Sequence, residues 1–112
     1  MKTVHKYALV EGRNNNLSMP RGAVPLTVQV QNSWPMLWAE VDTAQPLQHR
    51  SFLVIGTGME IMEEVKQYIG SVQMGALVWH VFEVVSAKTA SSQSLASLIS
   101  SPQLVDMLAS VA

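Results

Sequence analysis

The chain contains no cysteine in its 112 residues. That excludes a disulfide framework and any thiolate metal site, and it fits a reducing cytoplasm. Charge is scarce as well. Asp, Glu, Lys and Arg make up 13% of the sequence, against about 25% in an ordinary globular domain. The seven Lys and Arg residues stand singly and the net charge is −1, so the basic footprint that nucleic-acid binding requires is missing. No apolar run approaches the roughly 18 residues that span a bilayer. The opening MKTVHKYALV has no long apolar core before a small-residue cleavage site, so neither a membrane span nor a secretory leader is expected.

What the chain does have is apolar residues, 48% of the total. Its length fits one domain. A surface so poor in charge implies that part of it is covered by another copy or a partner, and a homo-oligomer is the expectation.

Period-two alternation is the dominant pattern. Val4 to Val10 reads as a first strand, and Glu11 to Asn16 as a loop by its Gly and Asn content. Met19-Pro20-Arg21-Gly22 reads as a turn. In Ala23 to Gln31, Leu26, Val28 and Val30 alternate with Thr27, Gln29 and Gln31. Asn32-Ser33 then turns the chain into Pro35 to Val41, with Trp34, Met36, Trp38 and Glu40 on one face and Leu37, Ala39 and Val41 on the other. The apolar run of His49 to Gly56 predicts a strand buried on both sides. Met59 to Gln67 reads as one or two helical turns, from Met62, Val65 and Ile69 at helical spacing. Tyr68 to Gln73 and Ala76 to Val84 form the closing hairpin around Met74-Gly75.

After Ala87 the texture becomes helical. Leu95, Leu98 and Ile99 form one stripe. Leu104, Val105, Leu108 and Val111 form another, introduced by Ser101-Pro102 as N-cap and first helical residue. The expected fold is therefore mainly β with some α. It is a small antiparallel sandwich or partly closed barrel of about six strands over residues 1–87, with one or two short helices in 88–112 docking on the sheet or on a neighbouring subunit.

Candidate chemistry is thin. His5, His49 and His80 lie on three different strands without ligand-motif spacing, and ordinary strand positions explain them better than zinc. Gly56-Thr57-Gly58 could present backbone donors to a phosphate. It lacks the rest of a P-loop or dinucleotide fingerprint, and a strand-ending turn explains it. Glu60, Glu63 and Glu64 read as a solvated face rather than an acid/base pair. No serine sits in a nucleophile elbow. Trp34, Trp38, Tyr68 and Trp79 suit a core or an interface better than base stacking. No catalytic residue, metal or cofactor is assigned. The candidate ligand or interface residues are Trp34, Trp38, Arg50, Gly56, Thr57, Gly58, Trp79 and His80. Leu95, Leu98, Ile99, Leu104 and Leu108 are the candidate oligomer-forming tail.

Residues 1 to about 84 carry a set of recurrent motifs: Lys6-Tyr7 in the first strand, the Pro20-x-Gly22 turn and Val28-Gln29-Val30-Gln31-Asn32. Leu37-Trp38-Ala39, Gly56-Thr57-Gly58 and Trp79-His80-Val81-Phe82-Glu83 follow. This pattern resembles a family of small uncharacterised proteins of tailed bacteriophages and prophages. Members often have His-Pro after Gly-Thr-Gly, where this chain has Met59-Glu60. The closing hairpin is shorter here, and the tail beyond Val85 is outside the pattern. The resemblance implies a phage setting, in host cytoplasm or virion, and transfers no catalytic residues. The expected function is a non-enzymatic accessory protein. It would act by binding as a homo-oligomer, on a host-defence protein or a nucleotide-like signal. A structural virion component is the alternative, ahead of a small enzyme or a single-stranded nucleic-acid binder.

Overall fold

The computed structural model describes residues 1–86. Seven strands follow one another: β1 (Lys2–Ala8), β2 (Arg13–Pro20), β3 (Val24–Gln31), β4 (Trp34–Asp42), β5 (Leu47–Gly56), β6 (Val65–Met74) and β7 (Leu77–Val84). Every paired ladder is antiparallel. They form two open sheets, sheet A in the order β1-β4-β3 and sheet B in the order β2-β5-β7-β6. The mainly β expectation holds; the barrel alternative does not, since the sheets do not close. The tail residues Leu95, Leu98, Ile99, Leu104 and Leu108 lie outside the described residues.

Three local expectations are corrected. The segment read as a loop and turn, Glu11 to Gly22, contains β2, so there are seven strands rather than six. Asparagine supplies what β-propensity lacks here. Asn15 accepts a hydrogen bond from the Val10 amide at 2.8 Å, and its Nδ2 donates to the carbonyls of Val10, Arg13 and Phe52. Its side chain therefore pins the β1–β2 connection to β5. Second, residues 59–64 are irregular and 65–67 already belong to β6; among the described residues there is no helix. Third, a bulge between Pro25 and Thr27 breaks the alternation of β3 and leaves Leu26 exposed beside buried Val28.

The core lies between the sheets. Leu37, Ala39 and Val41 of β4 meet Phe52, Val54, Val72 and Val81 of sheet B, with Leu9, Met19 and Val28 around them. The corner where β3 meets β6 is tight. A Cβ added at Gly70 would stand 3.0 Å from Val28 Cγ2, and the β6 ladder is bulged between Tyr68 and Gly70. A bare α-carbon lets the two strands touch there. The β3–β4 hairpin turns through Asn32 and Ser33, both with positive φ (53° and 68°), as a two-residue turn matched to strand twist requires.

β5 and β6 flank β7 and run the same way, so residues 57–64 must travel the length of β7. Thr57 Oγ1 meets His80 Nε2 at 2.8 Å at one end of this strap, and the Val85 amide donates to the Glu64 carbonyl at 2.8 Å at the other. His80 shares its side of β7 with Phe82 and Val84, opposite to core residue Val81. The strap therefore crosses the outer face of sheet B. Leu53, Ile55 and Val84 form a second buried cluster on that face, with Phe82 packed against it. The both-sides burial predicted for β5 is accounted for in this way.

Candidate binding surface

The outer face of sheet A is the opposite case. The side chains of β4 that point away from the core are Trp34, Met36, Trp38 and Glu40. Register sets Lys2, Val4 and Lys6 beside them on β1, and Val24, Gln29 and Gln31 on β3. Trp34 is 49% exposed, and Val4 and Val24 are 51% exposed each. Met36 and Trp38 are half-buried among these neighbours. The Lys6 ammonium donates to Gln31 Oε1 at 2.7 Å. This is an apolar patch of two tryptophans, one methionine and two valines, of the kind that marks contact surfaces. Its rim carries both signs: the N-terminal ammonium, Lys2 and Lys6 stand on one strand and Glu40 and Asp42 on its neighbour. The Asp42 carboxyl is held below its ordinary 3.8, first by the Ala44 amide and then by the N-terminal ammonium at 3.3 Å.

The remaining candidates are dispersed. Trp79 faces inward and packs on the core beneath Gly56 and Gly12; it is a packing residue. Thr57 and His80 meet each other, and Thr57 Oγ1 also donates to the Val78 carbonyl at 3.3 Å. The Gly56 amide points to Met59 Sδ, the Thr57 amide donates to Val78 and the Met59 amide to Gly56. With the Gly56, Thr57 and Met59 amides engaged inside the protein, the Gly-Thr-Gly loop anchors the strap.

Arg50 lies elsewhere again. Its guanidinium makes a two-pronged pair with Glu83, Nε to Oε2 and Nη2 to Oε1, each 2.8 Å, and Nη1 donates to the Ala23 carbonyl. The Arg50 side chain is 16% exposed and that of Glu83 6%. Arg50 also sits 5.8 Å over the Phe52 ring. The pair ties the start of β3 to sheet B and forms the floor of an open groove of about 520 Å³, with His49, Lys66 and Ser86 along its walls. Glu83 is shared, since the exposed Lys66 ammonium also stands 3.9 Å from its Oε2, and the Arg50–Glu83 pair acts as a structural clamp at the base of the groove. Tyr7, facing the same interior, has its phenol pushed up by burial, partly offset by Arg50.

Among the described residues, no group of three or more His, Cys, Asp or Glu side chains could hold a metal ion, and no helix is long and apolar enough to cross a membrane. His5, His49 and His80 stand on β1, β5 and β7. The sequence reading grouped Trp34, Met36 and Trp38 correctly but missed Val4, Lys6 and Val24 as their neighbours, because register across strands is not written in any one strand. It also left Glu83 unpartnered, although its place on the apolar side with Trp79 and Val81 signals a buried carboxylate that needs a cation.

The chain belongs to the DUF7352 family, a domain of unknown function, whose match covers residues 1–92. No curated protein and no solved structure matches it.

Proposed function

We propose that this chain is a non-catalytic binding protein that works as a homo-oligomer, with the outer face of sheet A as its self-association surface. The observation that carries this is the uncovered row of Trp34, Met36 and Trp38 bordered by exposed Val4 and Val24. Large aromatic side chains contribute most to contact energies because they remove much apolar area from water at little entropic cost. The rim of Lys2, Lys6, Glu40 and Asp42 holds cations on β1 and carboxylates on β4, so a second copy of the same face, turned about a two-fold axis, can set one sign against the other. The resemblance to tailed-phage proteins supports the setting, the cytoplasm of an infected bacterium. In that setting the assembled protein acts by occupying a host protein or a small nucleotide-like signal, and the scarcity of clustered ionisable side chains favours binding over catalysis.

Light scattering coupled to size exclusion at micromolar concentration tests the proposal. The expected result is an oligomer that Trp34→Ser/Trp38→Ser converts to monomer with an unchanged circular dichroism spectrum. A monomeric wild type, or a double variant of unaltered mass, overturns it.

A further inference from the structure

We infer that the free edge of β1 is a docking site for an extended acidic segment of a partner protein, which joins sheet A as a fourth strand. The argument begins with hydrogen-bond parity. The Leu9 amide donates to the Pro35 carbonyl and the Thr43 amide to the Met1 carbonyl, in the same register that pairs Lys2 with Asp42 and Ala8 with Met36. The odd-numbered residues of β1 thus turn their backbone groups toward β4. Lys2, Val4, Lys6 and Ala8 turn theirs away, because successive residues of a strand point their amides to opposite sides. β1 is an outermost strand of its sheet. Among the described residues, no backbone hydrogen bond engages those four N–H and C=O sets.

The other edges differ. β3 and β6 meet at the Gly70–Val28 corner. On β2 the outward-turning positions are Asn14, Asn16, Ser18 and Pro20, and Pro20 has no amide to offer. The edge of β1 is left, with every donor present.

Charge then selects the partner. Lys2 and Lys6 stand on one face of the edge strand with Val4 between them, all three exposed; Lys6 rests on the neutral Gln31 Oε1, Asp42 lies across the ladder from Lys2, and β1 itself carries no carboxylate. Lysines on an edge ordinarily deter strand pairing. Two β1 edges brought together would gather four ammonium groups, which disfavours a second copy. An acidic strand reverses the sign. In antiparallel register its side chains opposite Lys6, Val4 and Lys2 follow the pattern acid-x-aliphatic-x-acid, and opposite charges directly across a ladder stabilise the pair. Main-chain bonds supply affinity and the alternate side chains supply choice, as in other strand-addition complexes. This site is an edge, and it does not depend on self-association through the tryptophan face.

The test titrates the full isotope-labelled chain with acetyl-Thr-Asp-Thr-Val-Thr-Asp-Thr-amide, with anisotropy of a labelled copy giving the affinity. Binding with amide shift changes centred on Lys2–Ala8 is expected. Lys2→Glu/Lys6→Glu should weaken binding at least about tenfold and gain affinity for the peptide with Lys in place of Asp. A peptide methylated on the amides that face β1 should lose binding. Equal binding of the methylated peptide, shift changes elsewhere than β1, or no binding at millimolar peptide overturns the inference.

Discussion

Both sheets carry apolar side chains on their outward faces, yet the fold treats the two faces differently. On sheet B, Leu53, Ile55 and Val84 are buried on the side crossed by residues 57–64, and Thr57 is latched to His80. On sheet A nothing of the kind crosses β4 among the described residues, where Trp34 is half exposed. The lesson is that outward hydrophobicity does not by itself mark an interface. Where the chain invests a connection in covering it, the residues belong to the core; where no described segment does so, they stay exposed.

The comparison can be broken most severely by uncoupling the sheets that carry the two faces. Arg50→Met takes the two-pronged partner from buried Glu83 and leaves it only the exposed Lys66 ammonium at 3.9 Å, and the expected loss is about 3 kcal/mol of stability by urea denaturation. A loss below about 1 kcal/mol would mean that Glu83 reaches water and the clamp is superficial. A direct contrast comes next. Leu53→Ala on the covered face should cost about 2–3 kcal/mol, and Met36→Ala on the bare face about 0.5 kcal/mol or less. Equal losses in the monomer would erase the distinction. The smallest effect is on protonation in the space between the sheets. The Tyr7 phenol is held neutral above its ordinary 10.0. Its stabilising contribution is intact below pH 10 and fades as pH rises through the raised value. Ultraviolet difference titration of wild type against Tyr7→Phe should show that phenol ionising above pH 10; ionisation at or below it would place Tyr7 in solvent.

Much of sheet A was legible in the sequence, because β4 alternates cleanly and Asn32-Ser33 is a short turn before it; the bulge that turns Leu26 away from buried Val28 in β3 was not. β2 was not. Its three consecutive asparagines read as loop by propensity, and what makes them a strand is a set of bonds from Asn15 to Val10 and Phe52, partners that no local window contains. The helical spacing of Met62, Val65 and Ile69 misled for a related reason. A strap crossing a strand and a bulged strand after it place apolar residues at irregular intervals, and one such interval mimics a helix. The candidate surface was half visible. Its tryptophan row lies on one strand; Val4, Lys6 and Val24 join it through register with strands far along the chain.

The order of strands in sheet B has a consequence for how the protein is made. β7 lies inside the sheet, between β5 and β6, yet it is the last described strand to leave the ribosome. β6 emerges earlier and has no sheet neighbour until its hairpin partner follows. The nascent chain therefore carries an unpaired strand and an open gap beside β5 up to residue 84, and completion of sheet B is necessarily a late event.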